Sequence, residues 1–127
     1  MGNWNDVKGF LNTNYNIEEL DANTVRFGFR YTDDLDRTQQ VVVAGSDSLL
    51  EIKSPIATMA QVDGGRLLAV AAQQGAPGGL WLDGDTYVWC ATMATETLQG
   101  PELLAFVELV ARAADETEKA LGLGDNF

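Results

Sequence analysis

"TVRFGFRYTDDLDRTQQVVVAGSDSLLEIKSPI", residues 24–56, decides how this chain is read. Its apolar period is two. Val25, Phe27, Phe29 and Tyr31 alternate with Thr24, Arg26, Gly28 and Arg30, which predicts a half-buried strand over 24–31. The aspartates of "TDDLD", 32–36, supply turn chemistry, and "RTQQVVVAG", 37–45, is a second strand with β-branched residues at its centre. "GSDS" then turns into "LLEIKSPI", 49–56, where Leu50 and Ile52 share one face and Glu51 and Lys53 the other. Pro55 cannot donate a ladder hydrogen bond, so it is expected to close this third strand or to lie on an edge. Strands joined this closely pair antiparallel.

Helical periods flank the block. Over residues 4–15, "WNDVKGFLNTNY", Trp4, Val7, Phe10 and Leu11 fall on one face, and "NTNYN" ends the helix. "GGRLLAVAAQQG", 64–75, suits a short helix with Asp63 as N-cap and Gly75 as stop. "LWL" and "TYVWCATM" flank Asp83-Gly84-Asp85, a strong hairpin signal. Pro101 and Glu102 open the longest helix, whose stripe is Leu103, Phe106, Val107, Val110, Ala113, Ala114, Thr117 and Leu121. Glu108, Arg112, Asp115, Glu118 and Lys119 take its other positions, Gly122 is placed to cap it, and 122–127 is expected to be a flexible tail. The order α-β-β-β-α-β-β-α predicts one α+β domain over 1–127, built on an antiparallel sheet of about five strands.

Composition narrows the function. A chain of 127 residues is enough for one core without staples. Net charge is −11, which disfavours binding to phosphate backbones or anionic lipid and favours basic or unfolded polypeptide. There is no histidine, so the commonest general base and transition-metal ligand are missing. A single cysteine, Cys90, cannot form an internal disulfide, and "MGNWNDVKGF" lacks a charged-then-apolar leader, so a cytoplasmic location is expected. No apolar run approaches the ~20 residues needed to span a bilayer.

Candidate chemical sites have plainer explanations. Asp83 and Asp85 lack the further acids of a calcium loop, since none follows until Glu96, and an Asp-Gly turn explains them. A hydrolase using Asp83 and Asp85 is the weakest of the functional readings, because a hairpin tip is exposed and shifts neither pKa much. Cys90 has no histidine to activate it and reads as a small core hydrophobe. "GGR" at 64–66 and "APGG" at 76–79 match no phosphate-cradling motif, and "DDLD" at 33–36 reads as a solvated turn. No catalytic residue, cofactor or metal is therefore expected.

Trp81, Tyr87 and Trp89 carry more information. Tyr87 and Trp89 share one face of their strand while Val88 and Cys90 share the other, so both faces are apolar. Such a strand must be covered twice, and the helix "LLAVAAQQ" is likewise apolar around much of its circumference. Apolar surface left over in so small a domain points to a dimer contact, a peptide groove or both.

The element order, the acidic balance and the closing stretch "VWCATMATETLQGPELLAFVELVARAADETEKAL", 88–121, resemble the type III secretion chaperone-like family, including its YbjN-type members. In those members a strand runs through a short polar linker into a leucine-rich helix that begins near a proline or acid. The short second helix, bounded by "GGR" and "APGG", places this chain nearer the YbjN-type proteins. The resemblance implies a non-enzymatic homodimer that holds an extended segment of a client protein. By position it implies Leu67, Leu68, Val70 and Ala71 as dimer residues, with Trp81 and Trp89 near the dimer contact or a client patch. The expected function is thus a chaperone-like or regulatory protein-binding module. The alternative is a small-molecule sensor whose aromatics line a pocket between the sheet and the last helix.

Overall fold

The computed structural model describes residues 1–31 and 37–123; the expected turn at 32–36 and residues 124–127 of the expected tail lie outside it. Three helices and six strands follow in the order α1 (Trp4–Asn14), β1 (Glu18–Asp21), β2 (Thr24–Arg30), β3 (Thr38–Gly45), β4 (Leu49–Thr58), α2 (Gly64–Ala71), β5 (Gly79–Asp83), β6 (Thr86–Ala94) and α3 (Gly100–Ala120). The α+β antiparallel architecture is the expected one, with one strand more. β1, "EELD", has no alternation to read: it is short, acid-rich and exposed at every residue. Pairing with β2, not its own propensity, makes it a strand.

The sheet runs β1-β2-β3-β4-β6-β5. From the end of β4 the chain crosses through α2, enters as the edge strand β5, and returns as β6 between β5 and β4. β4 and β6 make the longest pairing, from Leu49↔Ala94 to Thr58↔Thr86. Pro55 does not close β4, contrary to expectation, nor does it lie on an edge. The ladder between β3 and β4 reaches only Lys53, so no N–H is needed from Pro55 on that side. Its carbonyl instead accepts from Gln39 Nε2 at 2.8 Å. A register shift between Pro55 and Ala57 then turns both Ile56 and Ala57 into the core.

All three helices contribute to one core on one sheet face. Val25, Phe27, Val41, Val43, Leu50, Ile52, Trp89 and Ala91 meet Trp4, Val7 and Leu11 of α1, Leu67 and Ala71 of α2, and Leu103, Val107, Val110 and Ala114 of α3. Local chemistry ends the helices, at Asp63 and Gly122 as expected and at Asn3 without a prior signal. Asn3 accepts from the Asp6 N–H at 2.9 Å and Asp63 from the Arg66 N–H at 3.1 Å. At the end of α3, Gly122 (φ +75°) donates to the Lys119 carbonyl at 3.0 Å and Leu123 to the Glu118 carbonyl at 3.1 Å, a Schellman closure. α2 stops at Ala71, ahead of Gly75.

Two charged residues of α3 correct the sequence reading. Asp115 and Glu118, placed off the apolar stripe, are nevertheless buried. Asp115 is paired with Arg37 and, at 3.4 Å, with Lys119. Beside them Tyr31 donates its hydroxyl to the Ala111 carbonyl at 3.1 Å, and Arg112 lies 4.8 Å above the Tyr31 ring. A polar seam thus accompanies the apolar stripe that docks α3 on the sheet.

Candidate functional site

The hairpin that joins β5 to β6 fixes the candidate site. Asp83 pairs with Thr86, so Gly84 and Asp85 form a two-residue loop. Gly84 has φ +63° and no non-glycine residue among the described residues is left-handed, as a turn of type II′ requires. The aspartates are therefore turn residues, with partners inside the hairpin or across the sheet. Asp85 accepts from the Thr86 hydroxyl at 3.2 Å, and the Asp83 carboxylate lies 3.5 Å from Lys53 Nζ. Among the described residues no group of three or more His, Cys, Asp or Glu is placed to hold a metal.

Register sorts the side chains of this hairpin onto two faces. Leu80 and Leu82 pair with Trp89 and Tyr87 on the helix side, while Gly79, Trp81 and Asp83 pair with Cys90, Val88 and Thr86 on the open side. Val88 and Cys90 are buried on the open side. Trp81 pairs with Val88, and Lys53 pairs with Cys90 while its ammonium reaches toward Asp83 and Glu51. A lysine stem and an indole thus roof this small apolar area. Burial, with the charges of Glu51 and Asp83 added, pushes the Cys90 thiol up to about 11 against a smaller opposing effect of Lys53. At neutral pH it is an inert thiol.

The six residues implicated by resemblance divide sharply. Leu67, Ala71 and Trp89 are buried inside the single chain, and the indole N–H of Trp89 donates to the Pro77 carbonyl at 2.8 Å. Val70 is half-buried. Leu68 is 62% exposed and Trp81 46% exposed. Leu82, which sequence reasoning did not single out, is 54% exposed; its place two residues from Leu80 in "LWL" was the available signal. Leu68 and Leu82 lie on the helix side, where α2 packs beside β5, and Trp81 lies on the open side of β5. Between α2 and β5 lies a groove of about 380 Å³ lined by Leu68, Ala71, Ala72, Leu80 and Trp89. Its floor depends on Gly78 (φ +90°), where a Cβ would stand 2.1 Å from the Cys90 carbonyl oxygen.

This groove borders an unprotected sheet edge. β5 keeps regular register along its whole length, and it carries neither Pro nor Lys nor Arg to discourage pairing. The space between the sheet and α3, by contrast, is occupied by Val107, Val110, Ala111 and Ala114. Another cleft, about 580 Å³, opens at the opposite edge and is mixed in character, with Glu18, Arg26 and Gln40 beside Ile17 and Phe27 in its lining.

No family model matches the chain, and no curated protein does. Solved structures do. A chain of the HopA1–SchA chaperone–effector complex is 17% identical, with TM-score 0.60, over 87% of this chain and 88% of that one. A chain of the ExsC–ExsE complex is 12% identical, with TM-score 0.64, over 95% of this chain and 97% of that one. An uncharacterized protein from Methanothermobacter thermautotrophicus is 14% identical, with TM-score 0.58, over 93% of this chain and 95% of that one. The chain therefore shares the α+β fold of these solved structures over nearly its full length.

Proposed function

We propose that this protein is a non-enzymatic binding module, a homodimer that acts as a chaperone-like or regulatory partner of another polypeptide in the cytoplasm. One observation carries the reading: the groove between α2 and the regular edge strand β5 is bordered by exposed Leu68, and β5 exposes Leu82 on the helix face and Trp81 on the open face. Apolar side chains with unpaired backbone groups are the chemistry of strand addition or groove burial. Shared fold with a chaperone–effector complex supports it, as does a net charge of −11, which helps keep a complex with an apolar segment soluble. In the dimer α2 and β5 of one copy meet those of the other. Leu68, Val70 and Trp81 then make the contact, while Leu67, Ala71 and Trp89 shape it from beneath.

Sedimentation tests the assembly. Leu68→Asp places a charge in an apolar contact, a cost of several kcal/mol, so the dissociation constant should rise by about 100-fold or more. Leu109→Asp, at an exposed position of α3, should leave assembly unchanged. A wild-type protein that sediments as a monomer at all accessible concentrations overturns the dimer.

A further inference from the structure

Asp-Gly occurs twice in this chain, at 63–64 and at 83–84, and the fold treats the two pairs differently. An aspartate followed by glycine rearranges with no reagent but water, because no Cβ screens the glycine nitrogen from the aspartate Cγ. The reaction needs a carboxyl free to turn toward the backbone, an uncommitted N–H on the glycine, and room for a five-membered ring. At the first pair the carboxyl is held and the space is filled. Asp63 caps α2 by accepting from the Arg66 N–H at 3.1 Å, its carbonyl accepts from the Leu67 N–H at 3.0 Å, and a Cβ at Gly64 would stand 3.0 Å from the Tyr87 hydroxyl. At the second pair all three conditions are met. The Asp83 side chain is 63% exposed, and its ion pair with Lys53 Nζ is long, 3.5 Å, and shared with Glu51 at 3.9 Å. The Gly84 N–H donates no hydrogen bond among the described residues, and a Cβ there would meet open space. One residue on, the Asp85 carbonyl accepts from the Met59 N–H at 2.8 Å, so the freedom of the tip is confined to the Asp83–Gly84 peptide.

We infer that Asp83 is a site of spontaneous modification, isomerising through a succinimide to isoaspartate, and that the change opens the β5 edge of the sheet. The Gly84 nitrogen bonds to Asp83 Cγ and gives up its proton. A carboxyl oxygen leaves as water, carrying that proton and one from solvent. Water then opens the ring at the original backbone carbonyl and returns the solvent proton. The chain now runs on through Cβ, and the former backbone carbon has become the free carboxylate. One water has left and one has entered, so the composition is unchanged. The backbone, however, has gained one atom within a two-residue loop closed by the pair Asp83↔Thr86. The length and geometry of such a loop set the register of its strands. The added atom breaks the closing pair and loosens β5 from β6, and with it the exposed Trp81 and Leu82.

The inference stands apart from the binding reading, since Asp83 is not among the residues assigned to the dimer contact. Its test is to age the wild-type protein at neutral pH and physiological temperature, beside a sample kept in urea, and to locate isoaspartate by mass spectrometry. In urea both Asp-Gly pairs should react, because the difference between them belongs to the fold. In the folded protein isoaspartate should accumulate at 83 several times faster than at 63. Gly84→Ala, checked for folding by its melting temperature, should lose most of the signal at 83 and keep that at 63 unchanged. Amide hydrogen exchange on the isomerised fraction should show lost protection at 80–83 and retained protection across β4. A folded protein that reacts at 63 as fast as at 83 overturns the inference. So does one that stays unmodified at 83 over a time in which the urea sample reacts. An isomerised fraction with unchanged protection at 80–83 overturns the opening of the edge.

Discussion

Cys90 and Asp115 show how far a residue's role depends on neighbours distant in the chain. Cys90 reads as a core hydrophobe, and it is buried, but under Lys53 and near Glu51 and Asp83 on the face away from the helices. Its folded pKa, about 11, lies above that of an unfolded thiol, so the fold favours the protonated form. Stability from this group is complete below about pH 8.5 and is lost as pH rises toward 11, and Tyr15, also raised by burial, adds loss in the same direction. Denaturant titrations across that range should show a falling midpoint, and Cys90→Ala should flatten the fall. A slope identical in wild type and variant would show that the thiol titrates freely. Asp115 lies off the apolar stripe of α3 in the sequence and proves to be the buried partner of Arg37. Asp115→Asn leaves a guanidinium half-buried without its counter-charge, and should cost about 2 kcal/mol in chemical unfolding. Lys119→Asn, whose ammonium is half-exposed at 3.4 Å from the same carboxylate, should cost well under 1 kcal/mol.

At the scale of elements, glycine separates two requirements within one hairpin. Gly84 needs its left-handed backbone, yet a Cβ there would meet open space. Gly84→Ala should therefore cost only about 1 kcal/mol of strain. Gly78 needs both the backbone and the room, because a Cβ would collide with the Cys90 carbonyl. Gly78→Ala should unseat the start of β5 and lower the melting temperature far more than Gly84→Ala; equal losses would mean that β5 is not held there. The hairpin was legible because turn chemistry is local: Asp-Gly between two apolar runs needs no tertiary information. β1 was not legible, since an exposed acidic tetrapeptide becomes a strand only once β2 offers it a ladder. Pro55 misled for the converse reason. Its missing N–H is a fact of sequence, but whether an acceptor waits for it depends on where β3 stops pairing, at Lys53.

Across the whole molecule, eight basic residues are spent largely on pairing. Lys8, Arg26, Arg37, Lys53, Arg112 and Lys119 each lie within ion-pair distance of a carboxylate. Nineteen acidic residues leave a surplus of −11, whose self-repulsion opposes compaction. Raising ionic strength from about 0.01 to 0.15 M shortens the screening length from roughly 30 to 8 Å, so the melting temperature should rise with salt. A fall would mean that the ion pairs outweigh the repulsion.

The sequence by itself determined the fold class, the five strands with a visible signal, all three helices with the Asp63 and Gly122 caps, and the reading of the aspartates as a turn. Each of those follows from periodicity or turn chemistry within a few residues. Tertiary structure alone decided that β6 inserts beside β4, that every helix packs on one face, and which apolar residues remain outside. Periodicity distinguishes one side of a strand from the other without saying what covers either. Thus Trp89 and Trp81, equivalent in the sequence, part company: one fills the core against Pro77 and the other stands exposed on the edge strand. Burial is a property of what packs opposite a side chain, and only the folded chain brings that partner into place.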